Sequence, residues 1–162
     1  MKRLRYMRHF DYNRKTGYVL QTELDRAQEG ATPNGYTDIF YGPLYRTLQT
    51  ALAVVAALSV KTRIHETIVE IGDGPVIDKA LDILKSMDKG KKPLYSPEKY
   101  VAPLRKIFDL IMSETGHGLA IGNGPMIELA ALGLGRKIDV VPKGGHIDFI
   151  QDELGKISVV IP

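Results

Sequence analysis

Leu4-Arg5-Tyr6-Met7-Arg8-His9-Phe10-Asp11 is an apolar, β-prone run that stops abruptly on an arginine and a histidine, and a polar, glycine-containing loop follows it over residues 11–17. The run predicts a first strand over residues 3–9, with Arg8 and His9 at its carboxyl end. An imidazole beside a guanidinium at such a junction suits nucleophilic attack on a bound oxyanion. The arginine fork holds the anion and the neutral ring attacks. Taken alone, a histidine at a strand end is more often a hydrogen-bonded polar group with no chemistry attached.

Outward from that strand, helices and strands alternate. Residues 20–28 read as a short helix stopped by Gly30, residues 31–35 as a turn, and residues 37–41 as a second strand. Gly42 and Pro43 open a second helix with Arg46 in its first turn and Leu44, Leu48, Ala51, Leu52, Val55 and Ala56 along an apolar face. A third strand over 63–71 carries Glu66 and Glu70 and ends in Gly72-Asp73-Gly74. Pro75 starts a third helix, with Ile77, Ala80, Leu81 and Leu84 at helical spacing. Residues 88–95 are a charged surface loop, and Ser96-Pro97 caps a fourth helix that contains Pro103. A short buried strand over 118–122 turns through Asn123-Gly124-Pro125 into a fifth helix, which stops in the glycines at 133 and 135. Closing strands are expected over 137–141 and 156–161, with a connection over 142–155.

This alternation predicts a single α/β domain over residues 1–162, in three αβα layers: a mostly parallel sheet with helices on both faces. Ligands of such sheets bind beyond the carboxyl ends of the strands. Three junctions there carry groups suited to phosphate: Arg8-His9, residues 42–46, and residues 122–125. Two of them open into helix N-termini, where free N–H groups and the helix dipole favour an anion.

A chain of 162 residues holds a full core without staples. It has no cysteine, which excludes disulfides, thiolate metal sites and a cysteine nucleophile. Its 22 basic and 19 acidic residues leave a net charge of +3, too small to imply a nucleic-acid partner. The local cluster of Lys2, Arg3, Arg5 and Arg8 still suits a small anion. The basic start is not followed by an apolar signal core, and no run approaches the length of a membrane span, so the expectation is a soluble cytoplasmic protein with no membrane partner. The histidines lack metal-ligand spacing, and His65 and His146 read as structural or exposed. The apolar run 157–161 is either an interior strand or an edge open to homo-oligomeric pairing.

Arg8-His9, followed over residues 42–51 by Gly-Pro-Leu-Tyr-Arg-Thr-Leu-Gln-Thr-Ala, resembles the histidine phosphatase superfamily, the phosphoglycerate mutase-like family. That family's pattern is Arg-His-Gly at the first strand and then Ser-Pro-Leu-x-Arg-Ala-x-Gln-Thr-Ala. Residues 119–132 are similar to the strand and helix that carry the family's second histidine. The resemblance implies a phosphoglycerate mutase-like fold and a phosphatase that needs no metal or other cofactor. His9 would take the phosphoryl group as a phosphohistidine while Arg8 and Arg46 clamp its oxygens. Glu70, in the segment Val-Glu-Ile-Gly, would protonate the leaving oxygen. Asn123 and Gly124 would contact phosphate from the second-histidine segment.

Two positions depart from the pattern. Phe10 stands where the family has glycine, and its ring is expected to narrow the phosphate cradle. Asn123 stands where the family has its second histidine, and an amide donates a hydrogen bond but carries no charge. His117 falls before that strand and hence at its far end. The implied substrate is a small phosphorylated molecule or a phosphoprotein. A second reading is a catalytically impaired relative that binds a phosphorylated ligand, and a third, a phosphoglycerate mutase, calls for longer insertions than this chain holds.

Overall fold

The computed structural model of the chain describes residues 1–29, 35–57, 62–65, 68, 71–72 and 74–161. Its elements in order are β1 (Lys2–Arg8), α1 (Gln21–Glu29), β2 (Asp38–Tyr41), α2 (Tyr45–Ala57), β3 (Arg63–Ile64), α3 (Gly74–Asp88), α4 (Pro97–Leu110), β4 (His117–Gly122), α5 (Gly124–Gly133), β5 (His146–Gln151) and β6 (Ile157–Val160). The strands form one mixed sheet in the order β3-β2-β4-β1-β5-β6. The pairs β3·β2, β2·β4 and β4·β1 are parallel, whereas β5 runs antiparallel to both β1 and β6.

Period-two alternation along the strands sends side chains to two different cores. From β1, Leu4 and Tyr6 enter the larger one, with Phe40, Leu104, Ile107, Phe108, Ile127 and Phe149, which places α4 and α5 on that face. The opposite face of β2 and β4, through Ile39, Leu119 and Ile121, packs on Ala51, Val54 and Val55 of α2. Helix α3 lies against α4 and α5 through Ala80, Ile83, Tyr100, Met126 and Leu129. Helix α1 covers Phe10 beside α2. These are the three αβα layers that the alternation of elements implies. Strand β4 is buried from Gly118 onward and is sandwiched on both sides. Small residues alternate on its α5 side because a Cβ at Gly122 would stand 2.6 Å from the Tyr6 ring.

Several expectations need correction. Residues 137–141 are not a strand; β5 forms at His146–Gln151, inside the segment expected to be a connection. The reason is where the backbone polar groups of Val141 go: its N–H donates to Glu128 Oε1 at 2.7 Å, and its carbonyl accepts from Arg8 Nη1 at 2.8 Å. Those groups are occupied by side chains, so they are not available to a ladder. The sequence 146–151 fits beside β1 in every respect, with Ile147 and Phe149 inward and Asp148 directly opposite Arg5. The Arg5 guanidinium donates to both Asp148 oxygens, at 2.8 and 3.1 Å, which explains a basic residue in the middle of β1.

On α2 the buried positions are Thr47, Thr50 and Ala51, while Leu52 is about half exposed and Ala56 is exposed. The threonine hydroxyls are satisfied by the carbonyls of Gly42 and Arg46, so burying them leaves no orphaned group. Of the expected strand 63–71, β3 takes Arg63–Ile64, and Glu66 and Glu70 lie outside the described residues. Strand β6 is an edge of the sheet. Among the described residues no helix is long and apolar enough to cross a membrane.

Candidate active site

The carboxyl ends of β1, β2 and β4 lie side by side, and the residues that follow them converge. His9 leaves β1 with its backbone N–H on the Gly122 carbonyl, 3.0 Å away, and its ring is buried, 3% exposed. Nδ1 lies 2.6 Å from the Phe10 carbonyl, and Nε2 lies 3.2 Å from Arg46 Nε. A carbonyl only accepts and a guanidinium only donates, so the proton sits on Nδ1 and Nε2 keeps its lone pair. Burial is the main force lowering the His9 pKa to about 4, reinforced by the charges of Arg46, Arg8 and Lys143 and opposed by the Phe10 hydrogen bond. At neutral pH the ring is uncharged, with its nucleophilic nitrogen facing a guanidinium.

Arg46 stands in the first turn of α2. Its Nη2 donates to Asn123 Oδ1 at 3.1 Å, so one guanidinium links the histidine to the asparagine. The polar face of this helix fastens it to the segment that follows β1. Phe10 N–H donates to Thr50 Oγ1 at 3.1 Å, and Val19 N–H donates to Gln49 Oε1 at 2.7 Å. Asn123 holds the N-cap position of α5 in an extended conformation, yet its side chain makes no capping bond and turns to Arg46 instead. Its Nδ2 is buried without a partner among the described residues. Arg8 donates from Nη1 to the Val141 carbonyl, and its buried Nε likewise has no partner among the described residues. Gly124 opens α5 directly beneath that guanidinium, where a Cβ would stand 3.1 Å from Arg8 Nε and Cζ.

By sequence, no family model and no curated protein matches this chain. Solved structures match along nearly all of it. Bacillus stearothermophilus YhfR superimposes with a TM-score of 0.72 at 13% identity, over 99% of this chain and 96% of its own. Entamoeba histolytica phosphoserine phosphatase, in complex with 3-phosphoglyceric acid, gives 0.68 at 16% identity, over 99% and 96%. The protein histidine phosphatase SixA, complexed with tungstate, gives 0.64 at 15% identity, over 98% and 94%. The chain has the phosphoglycerate mutase-like fold.

Within that phosphoglycerate mutase-like fold, the sequence-derived residues His9, Arg8, Arg46, Asn123 and Gly124 come together at one end of the sheet. Glu70 lies outside the described residues. Phe10 does not enter the cradle. Its ring packs with Val19 and Ala27 beneath α1, and a small residue is dispensable there because only its carbonyl faces the site. His117 lies at the other end of β4, in register with Arg3. His65 is structural: Nε2 pairs with the buried Asp38 at 2.7 Å and the ring stacks on Phe40. Among the described residues no group of three or more histidines and carboxylates is arranged to hold a metal.

Three neighbours of the site escaped the sequence reading. Tyr12 sets its ring edge against His9, with centroids 5.3 Å apart, and carries the Arg46 guanidinium 4.7 Å from its ring centroid. Lys143 approaches the same ring from the loop before β5 and pairs with Asp11. Glu128, one turn into α5, is buried with Oε2 unpartnered among the described residues. Burial raises its pKa to about 7, against the Val141 N–H and the Arg8 charge, which lower it. A lone acid inside the apolar run of α5 was a readable signal for Glu128. Nothing local marked Tyr12 or Lys143.

Proposed function

We propose that the chain is a phosphatase that cleaves a phosphomonoester or a phosphorylated side chain through a phosphohistidine at His9. The observation that carries this reading is the buried, neutral His9 ring, with Nδ1–H tied to the Phe10 carbonyl and the Nε2 lone pair on Arg46. The buried donors Arg8 Nε and Asn123 Nδ2, unpartnered among the described residues, support an anionic ligand, because such groups otherwise cost free energy.

When a phosphate dianion enters, the Arg46 guanidinium turns from Nε2 onto its oxygens, joined by Arg8 and Asn123. Nε2 then attacks phosphorus: the N–P bond forms, the P–O ester bond breaks, and the leaving oxygen takes a proton. By resemblance alone, Glu70 is the proposed donor. The phosphorylated ring keeps Nδ1–H, and the Phe10 carbonyl offsets its positive charge. Water next attacks phosphorus and gives its proton to the conjugate base. The N–P bond breaks, inorganic phosphate leaves, and His9 returns neutral. The two arginines supply the charge stabilisation, so no step needs a metal. What the solved neighbours' names give as substrates, a phosphoserine or a protein phosphohistidine, supports small phosphoesters or phosphorylated side chains as the class.

The test is hydrolysis of an aryl phosphate across pH, with a chelator present, by wild type and His9→Ala. Turnover confined to the wild type is expected, and equal turnover in both would overturn the reading. The uncharged Asn123 favours a second reading, a phosphate binder with little turnover. Asn123→His separates the two. The phosphatase reading expects a gain in kcat of about tenfold or more, the scale of a strengthened oxyanion-site donor. A folded variant with no gain, from a wild type that binds phosphate without turnover, favours the binder.

A further inference from the structure

The Lys143 turn is built onto the backbone of the candidate nucleophile. Gly145 N–H donates to the Pro142 carbonyl at 2.8 Å, and Gly144 has φ +76°, so residues 142–145 make a type II turn with Lys143 at its second position. Three hydrogen bonds fasten this turn to the Arg8–His9 backbone. Gly144 N–H reaches the carbonyls of Arg8 and His9 at 3.1 and 3.2 Å, and Arg8 N–H reaches the Gly145 carbonyl at 2.8 Å. The Cα of Lys143 is therefore fixed relative to His9, and only its side chain is free to move.

That side chain lies 5.3 Å from the centroid of the Tyr12 ring, which also touches His9 and carries Arg46. Its ammonium now rests on the Asp11 carboxylate in a partly exposed pair, which is weakly held and readily exchanged. The site has a use for it. Asn123 brings no charge to it.

Resting on the phosphatase reading, we propose that Lys143 is a third cationic ligand of the phosphoryl group, released from Asp11 when the substrate dianion arrives. Asp11 is then the resting partner that the substrate displaces. No bond is made or broken at Lys143. It exchanges one anion for another and stabilises the charge on the transferring group.

Orthovanadate affinity and aryl phosphate kcat/KM, measured for wild type, Lys143→Met, Asp11→Asn and the double variant, test this. Lys143→Met is expected to lose about 100-fold in kcat/KM, the scale of one lost oxyanion donor, and to bind vanadate correspondingly less tightly. Lys143→Arg is expected to recover most of the loss. Asp11→Asn is expected to tighten vanadate binding, but only while Lys143 is present. A purely structural ion pair would make the two single variants fail alike, and that outcome overturns the proposal. So does a Lys143→Met protein that matches a wild type whose turnover depends on His9, a result that leaves the phosphatase reading standing. A wild type that neither binds vanadate nor turns over overturns both.

Discussion

The chemistry of His9 is set by atoms one residue and thirty-seven residues away. The carbonyl of its own neighbour Phe10 fixes the proton on Nδ1, and Arg46 fixes the lone pair on Nε2. Imidazole nitrogen chemical shifts at pH 6 are therefore expected to report an unprotonated ring with hydrogen on Nδ1, although a free histidine is largely charged at that pH. A protonated ring at pH 6 would contradict the assignment. Arg46 spans two acceptors with one planar fork, which an ammonium cannot copy. Arg46→Lys is expected to lower kcat/KM by about 100-fold or more, measured on the same aryl phosphate at matched stability. Arg8, His9 and Arg46 were legible in the sequence because each ends a strand or starts a helix. The tautomer was not, because it depends on which acceptor the folded backbone presents.

Elements are aimed by a few backbone requirements. The Pro142–Gly145 turn needs a positive φ at Gly144, and a Cβ there would also meet the Phe10 ring at 3.3 Å. Gly144→Ala is expected to destabilise the fold by about 1–3 kcal/mol, read from urea unfolding. Phosphate binding should weaken with it, because the same turn holds the Arg8–His9 backbone. Unchanged stability would mean that the turn does not constrain the site. The Gly-Pro-Leu-Tyr-Arg-Thr-Leu-Gln-Thr-Ala segment was readable as a unit, and the structure gives its polar members separate tasks: Gln49 holds Val19, and Thr50 holds Phe10. The runs 137–141 and 146–151 both alternate like strands. What separates them is tertiary: Asp148 meets Arg5 across the sheet, while the Val141 backbone is taken by Glu128 and Arg8. Local periodicity carries no record of either partner.

Across the whole molecule, the order of strands and helices was enough to give the αβα layers and to put the site at the carboxyl ends. The antiparallel wing of β5 and β6 depends on long-range pairing and was not readable. Two buried titratable groups at the site also act on global stability, with opposite signs. The folded pKa of Glu128 is raised from 4.5 to about 7, so its contribution is whole below 4.5 and is lost as pH rises through about 7. The folded pKa of His9 is lowered from 6.5 to about 4, so its contribution is present above 6.5 and is lost as pH falls through about 4. Between about pH 4.5 and 6.5 the two slopes oppose each other, each up to about 1.4 kcal/mol per pH unit. Relative to wild type, Glu128→Gln is expected to gain stability with rising pH over that window and His9→Ala to lose it. Parallel profiles for all three proteins in denaturant titrations would contradict the assignment of those shifts. Phosphoryl transfer to His9 is read out by mixing enzyme with aryl phosphate, quenching in alkali where phosphohistidine survives, and mapping the modified residue by mass spectrometry. A phosphoryl group is expected on His9 alone in the wild type and none in His9→Ala. A phosphoryl group on another residue, or hydrolysis undiminished in the variant, would contradict it.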